Sequence, residues 1–505
     1  LNASQARWMM RQISFLWVEP MEALMRADDI LDRDALDQAA LVRNGEVTPL
    51  ELVTAAIERC EKINPHINAV TQPLYELARE EVLMAKDGPF RGVPFLVKDF
   101  YCHMAGTVTS GSSSLLLENR VDHDSELMRR YRAAGLVTIG KSNVPEMVSV
   151  GTTEPRLFGA TKNPWNLAHT PGGSSGGAAA AVAAGIVPVA HANDGAGSTR
   201  IPAACCGLFG LKPSRGRITL GPDVGESIGG ITAEHVVSRS VRDSAAMLDA
   251  TQGSMPGDPY VAPPSPMGYL DATRSSPGRL RIALSLEAML SCQVDPECQA
   301  AAQATAQLCE SLGHHVDLAS PPIDIELFRA AVEGFWPMTI TRVMVAMAQS
   351  RQVDVDTLVS QLEPFNQHLF SLGIRRSAVE YLQGLVFFQA ATRTLGRFFE
   401  TYDVLLTPTL SFGVPRLGYF DAQIHGGTEA YRRVIDSFAF TVPANVTGIP
   451  AASMPMAVSK SGLPIGVQIS TRFGCEHTLF QLATQLEATS AWKKPPPSAK
   501  FPWSN

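Results

Sequence analysis

The chain has 505 residues, 45% of them hydrophobic and 18% charged, which suits a globular protein with a large core. Its net charge of −7 argues against a general nucleic-acid binder, because no excess of cations is there to neutralise phosphates. Eight cysteines without a C-x-x-C pair or a histidine at ligand spacing read as free thiols in a reducing compartment, and exclude a disulfide framework and a metal centre. Residues 1–30 read as an N-terminal extension. Its apolar run from Ile13 to Val18 is too short for a signal peptide. The longest apolar run, Ala178 to Ala190, is broken by Gly185 and Pro188 and falls short of the roughly 20 residues that span a bilayer. A cytoplasmic location without membrane attachment is expected.

Residues 31–62 read as helical. Thr48-Pro49-Leu50-Glu51 carries a cap, a first-turn proline and a capping-box carboxylate, and Leu52, Val53, Ala56 and Ile57 follow on one face. Gly92-Val-Pro-Phe-Leu-Val-Lys98 predicts a buried strand ending at Lys98. A helix over 124–134 is stopped by Gly135, and Leu136–Ile139 form another buried strand. Alternating strands and helices predict an α/β layer architecture with a mostly parallel sheet, and no linker forces a cut. From Gly172 to Gly216, Gly, Ala and Ser dominate, which lets backbones approach each other or a ligand. Residues 253–279, rich in Pro, Gly and Ser, read as an irregular surface connection. Residues 296–312 and 325–400 read as helical and predict substrate-covering insertions, and 402–410 and 451–470 return to strand. Residues 495–505 read as a tail.

Three motifs carry chemistry on paper. Gly135-Leu-Val-Thr-Ile-Gly140-Lys141-Ser142 matches the phosphate-loop pattern of an NTPase, but Leu-Val-Thr-Ile builds a strand rather than a cradle, and Pro145 follows where a helix should begin. Gly172-Gly173-Ser174-Ser175-Gly176 matches the nucleophile elbow of an α/β-hydrolase esterase, but the polar segment Asn166–Pro171 precedes it where a buried strand is required. In Asp194-Gly195-Ala196-Gly197-Ser198-Thr199-Arg200, a glycine-rich run bares backbone N–H groups beside Ser198, as an oxyanion hole requires. Asp194 and Arg200 can pair across that loop. On these residues alone, a glycine turn with a surface serine explains the last motif equally well.

Residues 172–216 together resemble the amidase signature family, through Gly172–Gly177, the Ala-rich helix after it, Asp194–Pro202 and Cys206–Pro213. The likeness extends over roughly 31–490, through Asn64–Val70, Gly92–Asp99, Phe158–Trp165, Thr407-Pro408, Asn445–Pro450 and Gly462–Gln468, in the family's order. Ala190-His-Ala-Asn-Asp194 and Gly216-Arg217 look most like its nylon-oligomer branch, the 6-aminohexanoate cyclic dimer hydrolases. The resemblance implies a serine hydrolase of amide-type C–N bonds, with an acyl-enzyme on Ser198, Ser174 as proton relay after a cis peptide bond, and Lys98 as base. It also implies an oxyanion hole from the N–H groups of Gly195, Ala196, Gly197 and Ser198, with Ser175, Asp194 and Arg200 in support. It implies further a mixed sheet flanked by helices in a single large domain over 31–494, and no cofactor or metal. The family usually has Thr or Ile and then two glycines before the nucleophile; here the residues are Gly195-Ala196-Gly197, and the methyl of Ala196 is expected to narrow the acyl pocket.

The expected partner is a small amide, anilide or carbamate with an apolar body, and the same machinery suits esters. No nucleic acid or membrane is expected, and a homodimer is left open. The alternative within the family is an amidotransferase subunit that releases ammonia for a partner. Phe335, Trp336 and Met338 sit in a helical stretch that is either a core stripe or a substrate-pocket wall.

Overall fold

The computed structural model describes residues 29–496 and Phe501. Most of the expected extension, with its Ile13–Val18 run, and most of the tail lie outside the described residues. The strands are β1 (Val70–Pro73), β2 (Pro94–Lys98), β3 (Val137–Ser142), β4 (Val189–Asp194), β5 (Phe209–Lys212), β6 (Ala233–Ser238), β7 (Arg281–Leu284), β8 (His315–Leu318), β9 (Val404–Pro408), β10 (Ala451–Val458) and β11 (Pro464–Thr471). They form one 11-stranded sheet in the order β1-β3-β2-β4-β6-β5-β10-β11-β9-β7-β8. The sheet is mixed, as expected, but not mostly parallel. Four neighbouring pairs are parallel (β3–β2, β2–β4, β9–β7, β7–β8) and six are antiparallel. Of the antiparallel pairs, β10–β11 is joined by a short turn at Ser461–Leu463, whereas β1–β3, β4–β6, β5–β10 and β9–β11 pair strands that are not consecutive in the chain, which strand–helix alternation does not encode.

Helices cover both faces of the sheet, so β2, β3 and β4 are buried throughout and show no polar alternation. Phe95 and Val97 of β2 join one core, with the helices Ala35–Arg43, Glu126–Ala133, Val241–Thr251 and Glu476–Glu487. Leu96 joins the opposite core, with the helices Pro49–Ile67 and Gly176–Ala183. Lys98, two residues on from Leu96, shares that second side because strand side chains alternate. The helix Pro49–Ile67 starts as its sequence dictates, with the Thr48/Glu51 capping box formed.

The helix Pro296–Ser311 is not a substrate cover. It is the crossover between the parallel neighbours β7 and β8, and Cys298, Ala301, Ala302, Ala306 and Cys309 pack it into the first core. The helices from Ile325 to Thr401 form a separate layer around Phe328, Phe335, Trp336, Met344 and Phe388. The phosphate-loop match resolves into strand β3. Its Lys141 is buried, donates to the Val108 carbonyl and Thr109 Oγ1 at 2.5 and 3.0 Å, and lies 3.7 Å from Asp99. No phosphate cradle is built there.

Candidate active site

Three segments converge where the parallel strands β2 and β4 end. Lys98 closes β2, Asn193 and Asp194 close β4, and the run Gly172–Ser175 leads into the helix Gly176–Ala183. This helix is buried along its whole length, which only small residues permit. A side chain at Gly177 would place its Cβ 2.4 Å from the backbone nitrogen of Asn143. No strand enters the Gly172–Gly176 run, so the nucleophile-elbow geometry is absent. The Gly173–Ser174 peptide bond is cis, as the resemblance implies.

Lys98 Nζ is fully buried and lies within hydrogen-bond distance of Ser174 Oγ at 2.8 Å, Ser175 Oγ at 2.8 Å and Asn193 Oδ1 at 2.5 Å. Burial drives the Lys98 ammonium down to about 7, against the opposing charges of Glu234 and Asp194. Ser175 also ties the site together. Its Oγ donates to the Asn193 carbonyl at 3.3 Å, and its backbone N–H donates to the Ser198 carbonyl at 3.3 Å. Ser198 is 8% exposed, against 1% for Ser174, so Ser198 is the more accessible of the two serines.

The loop of Ser198 winds around the Asp194 carboxylate. Gly197 N–H donates to Asp194 Oδ1 at 2.7 Å and Thr199 N–H to Oδ2 at 3.2 Å. The Gly197 donor is therefore taken, which removes it from the four expected in an oxyanion hole. The N–H groups of Gly195, Ala196 and Ser198 have no acceptor among the described residues. Gly197 has φ +133°, and a Cβ there would lie 2.4 Å from Thr441 Oγ1, so glycine is required. Ala196 is fully buried, and its carbonyl accepts from Thr441 Oγ1 at 2.6 Å. Its methyl belongs to the buried cluster that includes Ile201 and Ile231.

Arg200 lies beneath the loop, fully buried against Asp194. Burial raises the Asp194 carboxyl, but the charge and hydrogen bonds of Arg200, with a hydrogen bond from Asn445, overcome that and hold it down at about 2. Asn445 Nδ2 donates to both the carbonyl and Oδ1 of Asp194, at 2.9 Å each.

The expected pocket residues part company. A Cβ at Gly195 would lie 3.4 Å from Ile228 Cδ1, and one at Gly229 would lie 3.2 Å from the Phe335 ring. Phe335 stacks on Tyr381, with centroids 5.6 Å apart. Phe335 thus backs the loop that faces Gly195. Trp336 is a core residue: its Nε1–H donates to the Ser149 carbonyl at 3.1 Å and its ring meets Phe438 edge-on. Met338 is half-buried on the helix Pro337–Arg351 and has no assigned contact with the site. Sequence reasoning gave no role to Asn193, His191, Glu234, Thr441 or Gln468. Three of them carried a signal: His191 and Asn193 fall in the run Ala190–Asp194, and Gln468 ends the landmark Gly462–Gln468, whereas Glu234 and Thr441 carried none.

Residues 51–480 match the Amidase family. The chain is 40% identical over 502 residues to the 6-aminohexanoate-cyclic-dimer hydrolase of Paenarthrobacter ureafaciens, covering 93% of this chain and 98% of that protein. A solved 6-aminohexanoate cyclic dimer hydrolase in complex with substrate superposes with TM-score 0.84 at 37% identity, over 94% of this chain and 99% of that one. A bacterial aryl acylamidase of the amidase signature enzymes superposes with TM-score 0.83 at 26% identity, over 91% and 96% of the two chains.

Proposed function

The chain belongs to the amidase signature family and is a hydrolase of amide bonds, and from that premise we propose that it acts through an acyl-enzyme on Ser198, with Ser174 as proton relay and Lys98 as base. One observation carries the reading: the set of partners around Lys98 Nζ. A neutral amine has two N–H groups and one lone pair, whereas Nζ has three close partners. Asn193 Oδ1 can only accept, so it takes one N–H. Ser175 Oγ–H is directed at the Asn193 carbonyl, so Ser175 Oγ accepts the second. The lone pair is left facing Ser174, whose hydroxyl donates into it. The lysine's base capacity is aimed at one of its two neighbouring serines.

The chemistry follows from that polarity. Ser174 passes its proton to Lys98 and takes one from Ser198, whose Oγ attacks the carbonyl carbon. Negative charge develops on the carbonyl oxygen and is received by the N–H groups of Gly195, Ala196 and Ser198, a role supported by their having no other acceptor among the described residues. Return of the proton through Ser174 to the leaving nitrogen frees the amine. Water then repeats the attack on the ester and releases the acid. Burial makes Lys98 a base near neutral pH, which an exposed lysine would not be.

The substrate reading is a linear or cyclic amide, anilide or carbamate with an apolar body. It rests on Ile228 beside Gly195, on Phe335 against the adjoining Gly229, and on the likeness to hydrolases of a cyclic aminohexanoate dimer. The test is to offer the purified chain, with no partner added, a panel of anilide, cyclic amide, carbamate and ester. Cleavage of the anilide by the wild type and its loss in Ser198→Ala support the reading. Cleavage only when a second protein is present favours the amidotransferase alternative.

A further inference from the structure

Beneath the end of β2 lies a second buried polar system that the proposed reaction does not use. His191 Nε2 is 2.6 Å from Glu234 Oε2, and neither side chain is more than 2% exposed. In the β4–β6 pairing Asn193 stands opposite Glu234, so His191 reaches Glu234 diagonally across the two strands. The backbone N–H of Lys98 donates to His191 Nδ1 at 3.2 Å. An N–H can only donate, so Nδ1 is the unprotonated nitrogen. The ring proton then sits on Nε2 and is given to Glu234. The imidazole thus has one N–H, and Glu234 Oε2 accepts it.

As a carboxylate, Glu234 is poorly compensated. Glu234 Oε1 is buried with no hydrogen-bond partner. A buried carboxylate with one hydrogen bond costs stability unless a cation is near. The other groups facing Lys98 are accounted for. Asp194 on β4 is gripped by Arg200. Asp99, next along the chain, lies 3.7 Å from Lys141 of β3. His235 of β6 is held down to about 3 by burial and stays neutral. Burial pushes the Cys102 thiol and the Tyr101 and Tyr131 hydroxyls up, so they too stay neutral. Glu234 is the carboxylate near Lys98 with no cation of its own among the described residues, and it acts on Lys98 more strongly than Asp194 does. His191 and Glu234 share the sheet side of Val189 and Val236, and His191 meets Lys98 at its backbone rather than at its amine.

We propose that Glu234, acting through His191, is a positioning residue for Lys98: the dyad pins the lysine's backbone and supplies the buried negative charge that sets how readily its amine takes a proton. The proposal rests on Lys98 being the base. Loss of the Glu234 charge removes a favourable partner of the ammonium, so the neutral amine should persist to lower pH. The test is the pH profile of kcat/KM for wild type, Glu234→Gln, Glu234→Asp and Lys98→Ala. Glu234→Gln should move the acid limb down by about one pH unit, a tenfold change in proton concentration, while Glu234→Asp stays near wild type. A folded Glu234→Gln whose acid limb does not move overturns the proposal, whatever happens to its rate. So does an equal shift in Glu234→Asp, because charge would then not be the cause. Should Glu234→Gln not fold, His191→Asn/Glu234→Leu keeps an acceptor for the Lys98 N–H while removing the carboxylate, and the same criterion applies. Lys98→Ala separates the two readings: retained turnover there sinks the base assignment itself, whereas an inactive Lys98→Ala with an unmoved limb in Glu234→Gln sinks only the role of Glu234.

Discussion

Arg200 holds both carboxylate oxygens of Asp194, from Nε to Oδ2 and from Nη2 to Oδ1, each at 2.9 Å with neither side chain exposed. Its other N–H groups go to the Thr441 carbonyl and Gln468 Oε1 at 2.8 Å and to Asn445 Oδ1 at 2.6 Å. All five guanidinium donors are used. Lysine offers three donors and no planar fork, so Arg200→Lys should behave almost as a deletion. Leaving Asp194 buried and unpaired costs about 3–5 kcal/mol. Urea denaturation of Arg200→Lys should show a loss of that order, with Ser198 no longer labelled by a serine-directed reagent.

The same pair gives an acid prediction. The Asp194 carboxyl is held at about 2 in the folded state, against about 3.9 when unfolded. A depressed carboxylate contributes stability above its unfolded value and loses it as pH falls through the folded one. This contribution is intact at pH 5 and should fade between about pH 4 and 2. Urea midpoints measured across that interval should fall in the wild type, and less steeply in Asp194→Asn.

Lys98 is lowered to about 7, chiefly by burial. As a base it works only when neutral, so kcat/KM should rise with pH and level off above that value. A profile flat from pH 5 to 9, or one that falls through pH 7, would speak against Lys98 as the base.

Ser175 accepts from Lys98 at 2.8 Å without receiving its lone pair. Ser175→Ala should therefore slow the reaction without abolishing it. Loss of one hydrogen bond of this kind is worth roughly 10- to 100-fold in rate. Ser174→Ala should fall much further, with only a small remnant left, and Lys98→Ala and Ser198→Ala should be silent. Single-turnover rates for the four variants give the order, and equal losses in Ser174→Ala and Ser175→Ala would contradict the relay.

Phe335 and Trp336 are neighbours in sequence with opposite expected phenotypes. Phe335→Ala should change KM and the ranking of substrates through the Ile228 loop. Trp336→Ala should cost stability, about 3–5 kcal/mol, with a smaller effect on substrate ranking. A thermal melt and a substrate panel on both variants separate the two roles.

Lys98, Ser174 and Ser198 were legible only through the ordered landmarks of the family: the end of an apolar strand run does not flag Lys98 by itself, Ser174 sits in a false elbow pattern, and a glycine turn explains Ser198 equally well. Their mutual geometry was not. It depends on β2 and β4 being parallel neighbours, which no local pattern encodes. Gly197 shows the limit most directly. Its glycine was read as a bare donor, but the structure turns that N–H inward to Asp194, because φ +133° is set by the clamp and by Thr441, 244 positions away. Glu234 was illegible for the same reason, since it meets Lys98 only through strand order. The helix Pro296–Ser311 looked like an insertion because amphipathic helices read alike whether they cover a substrate or a sheet.

The run of small residues in the helix Gly176–Ala183 has a consequence for variation. Ser174, the proposed relay, precedes an element with no free surface, where an added methyl at Gly177 meets backbone. Substitutions there are expected to be lethal in nearly every form. The layer from Ile325 to Thr401 joins the rest through aromatic packing and bears exposed side chains such as Leu327, Val379, Leu382 and Val386. Random mutagenesis for a new substrate should therefore yield its survivors in that layer and in the Ile228 loop, leaving the chemistry as an inherited constant.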